Sequence, residues 1–236
     1  GVEGKIAAAG FAREHDIPVV HETYRDVIDD PAIDAVYNPL PISLHHEWTI
    51  KALEAGKHVL CEKSFSSNAK EAEEMAAAAR ATGRVLMDAF HYRYHPVFMR
   101  ARDIVESAML GRVHTVEAAF HSPITDPEDI RMNYVTAGGV TMDIGCYPVS
   151  WARHITAEEP EEVTARAEVG PPHVDVYLEA RFRFPSGIEA TVSGDMRSGV
   201  SFRADLRVTG EKGEMVVQNP IAPQLGCQAP SQTKDS

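Results

Sequence analysis

The chain has 236 residues, of which 44% are hydrophobic and 25% are charged, and its formal net charge is -12. This composition is typical of a globular protein with room for two small domains, and we expect two. The acidic balance argues against nucleic-acid binding, and no apolar run approaches the roughly 20 residues that cross a bilayer. We therefore expect small-molecule partners, with no nucleic acid and no membrane.

The first ninety residues alternate between helical and strand patterns. Ser43 is a predicted helix N-cap, and Asn68 with Glu71 forms a predicted capping box, while Gly56 and Gly83 end helices. The predicted helices are 5–15, 21–30, 43–54 and 68–81, and the predicted strands are 17–20, 33–37, 58–61 and 85–90. Strand and helix alternating at short spacing predict a parallel sheet with crossover helices.

The pattern changes after Pro96. A helix is predicted over 97–109, and alternation of apolar and polar residues follows, most clearly over 174–184. A turn at 185–187 joins this strand to a second strand at 188–193. Another turn, at 211–213, joins a strand at 202–208 to a strand at 214–217. The predicted fold class is α/β, with an incomplete Rossmann-like parallel sheet with helices, followed by an α+β domain with a mainly antiparallel sheet.

The most informative segment is the short apolar strand from His58 to Cys61, which ends in Glu62 and Lys63. In an α/β domain, ligands bind at the carboxyl ends of parallel strands, so these two side chains stand where chemistry usually occurs. An ammonium at the end of a buried strand costs free energy unless it finds a partner. The alternative is a lysine that buries its stem and reaches solvent with its charge.

Four segments, 35–45, 56–63, 87–96 and 138–147, carry a resemblance to a known family. Ala55-Gly-Lys-His-Val-Leu-Cys-Glu-Lys63 matches a family stretch that continues with proline, where this chain has Ser64. A second stretch follows the pattern Gly-Gly-x-x-x-Asp-x-Gly-x-His/Tyr, with matches at Gly138, Gly139, Asp143, Gly145 and Tyr147. Over roughly residues 5–218 the chain resembles the glucose-fructose oxidoreductase / inositol dehydrogenase / MocA (Gfo/Idh/MocA) family. The tyrosine version, with Met87-Asp-Ala-Phe-His-Tyr-Arg93 upstream, looks most like the dihydrodiol and xylose dehydrogenase branch.

The resemblance implies an NAD(P)-dependent oxidoreductase that transfers hydride between a nicotinamide cofactor and a hydroxyl of a sugar, polyol or cyclic diol. By this resemblance Lys63 orients the substrate and the nicotinamide ribose, Tyr147 exchanges the hydroxyl proton, and Asp143 supports them. A free phenol has a pKa of about 10, so a tyrosine base near neutral pH requires a neighbouring cation such as Lys63. The alternative for Asp143 is a carboxylate that caps a helix.

The same resemblance implies a set of cofactor-binding residues, which are Asn38, Pro39, His45, Glu62, Lys63 and Arg93. Ile42 stands where relatives commonly have asparagine, so one polar contact differs here. His45 could instead be a histidine near a helix N-terminus, and Arg93 could form an ion pair between domains with Asp88 or Glu62.

Histidines and cysteines are considered next as metal ligands. Pro96 makes a helix over 91–95 unfavourable, so the spacing of His91 and His95 does not predict a metal site, and none is expected. The three cysteines, Cys61, Cys146 and Cys227, are scattered and odd in number, which predicts no disulfide framework. We therefore expect a reducing, cytoplasmic location.

The chain contains no Gly-x-Gly-x-x-Gly, the loop that follows the first strand of a dinucleotide-binding domain. We therefore expect an N-terminally, and also C-terminally, truncated member, in which strand 17–20 has lost both strands that separate it from 33–37. The expected domains are a partial dinucleotide-binding domain over 1–95, a substrate and oligomerisation domain over 96–218, and a disordered or remnant tail over 219–236.

Two functional hypotheses remain open. One is the dehydrogenase, with NAD or NADP as cofactor, and the other is a redox-inactive fragment that acts as a binding or oligomerisation module. A homo-oligomer formed through the antiparallel sheet is expected, because a sheet face of alternating Phe and Val needs a cover. A C-terminal segment is the alternative cover.

Overall fold

A computed structural model describes residues 2–170 and 173–225, with side chains for 8–170 and 173–224. The described chain forms two compact units. One comprises residues 2–40 and 44–88, and the other comprises residues 41–43 and those from 89 onward. Of the predicted tail over 219–236, the structure describes residues 219–225, which include a 3₁₀ turn at Pro223–Leu225 and a hydrogen bond from the Asn219 amide to the Ala204 carbonyl at 2.7 Å, so this part is ordered, and the rest of the tail lies outside the described residues.

The first unit is built on a three-stranded parallel sheet in the order β1-β2-β3. Its elements in chain order are α1 (Val2–Glu14), α2 (Tyr24–Asp29), β1 (Ala35–Asn38), α3 (Ile42–Glu54), β2 (His58–Cys61), α4 (Ala69–Thr82) and β3 (Leu86–Asp88). A small apolar core joins the sheet to its helices, and it contains Ile28, Ala52, Leu53, Val59, Cys61 and Met75. The predicted alternation of strands and helices is therefore confirmed from β1 onward.

Local hydrogen bonds explain where the helices of this unit begin and end. Asn68 caps α4 by accepting from the Glu71 amide at 3.0 Å, and Gly83 ends it in the left-handed region with φ 64°. The Glu71 carboxylate accepts from the Ser67 amide at 2.9 Å. The predicted capping box had the Asn68 amide as this donor. Helix α2 starts at Tyr24, later than predicted, because the Thr23 side chain caps it.

Two predictions in this unit were wrong. The stretch 17–20 is not a strand, and its valines are exposed. Among the residues that the structure describes, no strand lies beside it, and extended backbone without a partner gains no ladder hydrogen bonds. Ser43 is not the N-cap of α3, because the helix already begins at Ile42.

The second unit contains a six-stranded mixed sheet in the order β5-β6-β7-β4-β8-β9. Its elements in chain order are α5 (Pro96–Glu106), β4 (Val113–His121), α6 (Cys146–Thr156), β5 (Glu162–Gly170), β6 (Val174–Arg183), β7 (Glu189–Asp195), β8 (Arg203–Gly210) and β9 (Gly213–Gln218). Strands β4 and β7 pair in parallel, and all other pairs are antiparallel. The predicted fold class, a parallel sheet with helices followed by a mainly antiparallel sheet, is confirmed.

Alternation along the strands gives this sheet two different faces. One face packs apolar side chains such as Phe182, Val192 and Leu206 into a single core with Phe98 of α5 and Trp151 of α6. The face with Phe and Val is therefore covered by helices of the same chain. The reason given for expecting a homo-oligomer, an apolar sheet face that lacks a cover, was wrong. The other face is polar, with exposed side chains that include Glu117, Arg166, Arg181 and Thr191.

Several boundaries of this region also differ from prediction. Helix α5 ends at Glu106 instead of residue 109, β3 ends at Asp88, and a 3₁₀ turn occupies His91–Tyr94, where no helix was expected. Strands β4 and β5 were not predicted. Among the described residues, none of the helices has the length and apolar character of a membrane span.

Candidate active site

The carboxyl ends of β1, β2 and β3 form one edge of the parallel sheet. Asn38 pairs in register with Cys61, and Cys61 pairs with Asp88, so these residues form one row across the edge. The Glu62 amide donates to the Asn38 carbonyl at 3.0 Å, which continues the pairing one residue past β2. Glu62 and Lys63 therefore stand at the carboxyl edge of the sheet, where the sequence predicted them.

The Glu62 carboxylate is held by its own chain. It accepts from the Tyr37 hydroxyl at 2.7 Å and from the Lys63 amide at 3.0 Å. The hydrogen bond to Glu62 raises the pKa of Tyr37 to about 12, with smaller contributions from burial and from the Glu62 charge. The peptide bond between Lys63 and Ser64 is cis. Tyr37 was missed by sequence reasoning, since its place in β1 marks it only as a strand residue.

Asn38 is buried and organises the loop after β1. Its amide nitrogen donates to the Thr49 hydroxyl at 3.1 Å and to the His45 carbonyl at 3.4 Å, and its oxygen accepts from the Leu40 amide at 3.3 Å. The side chain is thus committed to the loop and to α3. Thr49 was another residue that the sequence did not single out.

His45 is fully buried and lies in the first turn of α3. Its Nδ1 is 2.8 Å from the carbonyl oxygen of Ser64, and its Nε2 is 2.7 Å from the carbonyl oxygen of Leu40. The ring therefore connects the loop after β1 with the loop after β2. Both ring nitrogens thus face backbone oxygens. The contact of His45 with a cofactor stays a prediction.

An apolar groove of about 200 Å³ lies beside β1 and reaches Asn38, Pro39 and Leu40. Its walls include Tyr24 and Trp48, whose rings meet edge to face with centroids 5.2 Å apart. Such a groove offers flat apolar surface next to the carboxyl edge, which suits an aromatic ring better than a charged group.

In the second unit, Asp143 and Tyr147 lie on one continuous helical segment. A π-helical turn over Thr141–Gly145 runs directly into α6, which begins at Cys146. Tyr147 is 6% exposed and packs among Phe90, Phe120 and Trp151, with centroid distances of 5.3, 5.6 and 6.1 Å. Asp143 lies 3.9 Å from the guanidinium of Arg131. Turns of π-helix occur frequently at functional sites.

Gly139 and Asp175 set the start of this segment. The Asp175 carboxylate accepts from the Thr141 amide at 2.9 Å and from its hydroxyl. Gly139 has φ +120°, and a Cβ there would lie 2.1 Å from the Asp175 carboxylate. The family pattern had identified the glycine but not its partner, because Asp175 occupies a polar position of β6 that nothing in the local pattern distinguishes from its neighbours.

Arg93 lies in a different cavity of the second unit. This cavity, of about 300 Å³, is also lined by Arg102, Ser150, Arg153 and His154. Burial lowers the pKa of His154, and the charges of Arg93 and Arg102 lower it further. Within its own unit Arg93 thus neighbours these groups, and its predicted cofactor contact stays a prediction.

Comparisons with known proteins agree with this fold and these motifs. Residues 3–90 match the oxidoreductase family with an NAD-binding Rossmann fold, and residues 98–216 match the GFO/IDH/MocA C-terminal domain. Both matches are to domains of one oxidoreductase family. The chain belongs to the GFO/IDH/MocA family, as its motifs predicted.

Three relatives illustrate the similarity. A D-xylose 1-dehydrogenase (NADP(+)) of Haloferax volcanii is 36% identical over 186 residues, which are 78% of this chain and 57% of that protein. A trans-1,2-dihydrobenzene-1,2-diol dehydrogenase of Xenopus laevis is 31% identical over 215 residues, which are 90% and 63% of the two chains. The 3-ketoreductase KijD10 of Actinomadura kijaniata, solved with NADP and TDP-benzene, is 29% identical with a TM-score of 0.83, and the match covers 91% of this chain and 66% of that one. The chain thus spans about three fifths of the length of the curated relatives.

Proposed function

We propose that this chain belongs to an NAD(P)-dependent oxidoreductase that transfers hydride between a nicotinamide cofactor and a hydroxyl carbon of a sugar, polyol or cyclic diol. The observation that carries the proposal is the carboxyl edge of the parallel sheet, where Glu62 and Lys63 follow β2 within a stretch that matches the family motif. The activities of the xylose and diol dehydrogenases among its relatives support the substrate class.

The residues at this edge fit part of a nicotinamide cofactor. The groove walls of Tyr24, Trp48 and Pro39 suit a flat ring, and Lys63 offers a cation for hydroxyl oxygens. The sequence contains no Gly-x-Gly-x-x-Gly, so we assign no residue to the pyrophosphate. A bound nicotinamide supplies the hydride chemistry that no side chain provides. We call the surface formed by these residues the proposed cofactor edge, and its members are Tyr24, Asn38, Pro39, Trp48 and Lys63.

Proton handling is assigned to the second unit. We assign Tyr147 to exchange the proton of the substrate hydroxyl, and Asp143, one turn earlier on the same helical segment, to support it. The aromatic surroundings of Tyr147 exclude water around the phenol, which favours a defined proton donor and acceptor. Lys63 is assigned to orient the substrate. The role of Arg93 toward the cofactor is retained as a proposal.

The domain assignment follows from the same proposal. Residues 1–95 provide the dinucleotide-binding part and residues 96–218 provide the substrate and oligomerisation part. The polar outer face of the six-stranded sheet, with exposed side chains such as Glu117 and Arg181, is the proposed homo-oligomer surface. Sedimentation at increasing salt tests this surface, since screening weakens contacts between charges. A cytoplasmic location is also part of the proposal, because the three scattered cysteines of the sequence predict no disulfide framework.

Calorimetric titration of NAD+ and NADP+ into the purified chain tests the function. Saturable binding that is lost in Lys63→Ala is the expected result. Lys70→Ala is the matched control, because the Lys70 side chain is 84% exposed on α4. A folded chain that binds neither nucleotide would overturn the proposal for these 236 residues and favour the redox-inactive binding module.

A further inference from the structure

The contacts of His45 constrain its protonation. Both of its ring nitrogens face backbone carbonyl oxygens, at 2.8 Å for Ser64 and 2.7 Å for Leu40. A carbonyl oxygen only accepts hydrogen bonds, and a neutral imidazole carries a single N–H. A neutral ring would therefore bond one carbonyl and direct a nitrogen lone pair at the oxygen of the other. Only the doubly protonated ring donates to both.

We propose that His45 is held as an imidazolium and acts as a positioning residue that clamps the loop after β1 to the loop after β2. The clamp fixes the backbone directly beside Lys63, because Ser64 is the next residue, and directly beside Pro39, because Leu40 is the next residue there. The functional part of this inference rests on the proposed cofactor edge, whereas the protonation state does not.

The surroundings of the ring show why this position is fixed. Asn38 donates to the His45 carbonyl and to the Thr49 hydroxyl, so the first turns of α3 are tied to the loop after β1. A cation in the first turn of a helix is disfavoured by the helix dipole. Burial adds a desolvation cost for the charged ring, and two short charge-assisted hydrogen bonds to carbonyl oxygens offset both costs.

Nitrogen-15 NMR of the histidine rings in the purified chain tests the protonation state. At neutral pH both ring nitrogens of His45 are expected in the range of protonated nitrogens. His58 is the internal control, because its Nδ1 accepts from the Val85 amide at 2.9 Å and so carries no proton. One unprotonated nitrogen on His45 would overturn the proposal. The wild-type chain suffices for this measurement, so it holds even where variants fail to fold.

Two variants test the clamp. His45→Phe keeps a planar ring without donors, and His45→Gln keeps one donor group. In His45→Phe, hydrogen exchange at the amides of residues 62–66 should accelerate about tenfold and NAD(P) affinity should fall by about tenfold, with His45→Gln between it and wild type. Unchanged exchange and affinity in a folded His45→Phe would refute the clamp.

The two measurements separate this inference from the proposed function. A doubly protonated His45 in a chain that binds no nucleotide keeps the clamp and removes the proposed function. Nucleotide binding by a chain whose His45 carries a single proton keeps the function and removes the clamp.

Discussion

The two ends of strand β2 each carry a lysine of the same family motif, and the two lysines have different surroundings. At the amino end, Lys57 is 7% exposed, and its ammonium donates to the carbonyl oxygens of Asp30 and Ile33, both at 2.7 Å. At the carboxyl end, Lys63 follows the sheet edge beside Glu62 and the His45 clamp. Lys57 thus closes the end of α2 and the turn that enters β1, where cations suit the free carbonyls of a helix C-terminus.

This difference teaches that one motif can hold, within a few positions, a lysine that supports the fold and a lysine whose proposed role is in ligand binding. The amino ends of parallel strands face the turns that stabilise the fold, and the carboxyl ends face ligands. We therefore expect substitutions at the two ends to separate stability from function.

The largest effect is expected at the carboxyl end. Under the proposed function, Lys63→Ala should lower the NAD(P)-dependent oxidation of a sugar or diol substrate by about 10²- to 10⁴-fold, because the group assigned to orient the substrate is lost. Its melting temperature should stay within about 3 °C of wild type, since the residue leaves the core intact. Steady-state kinetics and a thermal scan measure both values, with Lys70→Ala as control. A matching drop in stability would assign Lys63 to the fold instead.

The buried thiol of the last residue of β2 should be chemically inert. Burial, with smaller effects from the charges of Asp88 and Glu62, raises the pKa of Cys61 to about 12 from 9.0. The thiolate is the reactive form, so alkylation of Cys61 by iodoacetamide should be about 10³-fold slower in the folded chain than in the chain unfolded in guanidinium. Mass spectrometry of the Cys61 peptide measures both rates. Equal rates would mean that β2 opens readily.

The amino end should respond in stability. Lys57→Met keeps the length of the side chain but leaves two carbonyl oxygens without their donor, so we expect a loss of about 2–4 kcal/mol in the free energy of unfolding. Urea denaturation measures this loss. Lys51→Met, on the half-exposed side of α3, is the control and should change stability by less than about 0.5 kcal/mol. Comparable losses in both variants would show that the Lys57 hydrogen bonds contribute little.

Much of the fold could be predicted because its signals are local. The alternation of Val174 through Phe182 defined β6, and Asn68 and Gly83 marked the ends of α4. Strand β5, an edge strand that escaped prediction, has four apolar side chains, Val163, Ala165, Ala167 and Val169, and all of them are exposed outside the core. The stretch 17–20 has a strand-like composition, but a strand also needs a neighbour, which composition does not report.

The candidate site divides in the same way. Motif matching located Lys63, Asp143 and Tyr147, whose roles remain proposals. The supporting contacts were not predictable, because Asp175 reaches Thr141 from 34 residues away and Lys57 reaches Asp30 from 27 residues away. Such long-range pairs depend on the folded topology, and no local pattern encodes them. The double contact of His45 belongs to the same group.

The smallest effect is expected from Tyr37, which sharpens the description of the carboxyl end. Its phenol pKa is raised from 10.0 to about 12 by the hydrogen bond to Glu62. The folded state thus keeps this proton more tightly than the unfolded state, so the resulting stability is present below pH 10 and is lost as pH rises toward 12. Because Tyr37 is 53% exposed, solvent screening limits the effect of Tyr37→Phe to less than about 1 kcal/mol.

Phenolate absorbance should show one late-titrating group that Tyr37→Phe removes and Glu62→Gln shifts toward pH 10. A titration curve that Glu62→Gln leaves unchanged would mean that the Glu62 carboxylate does not hold Tyr37 and is directed elsewhere at the edge.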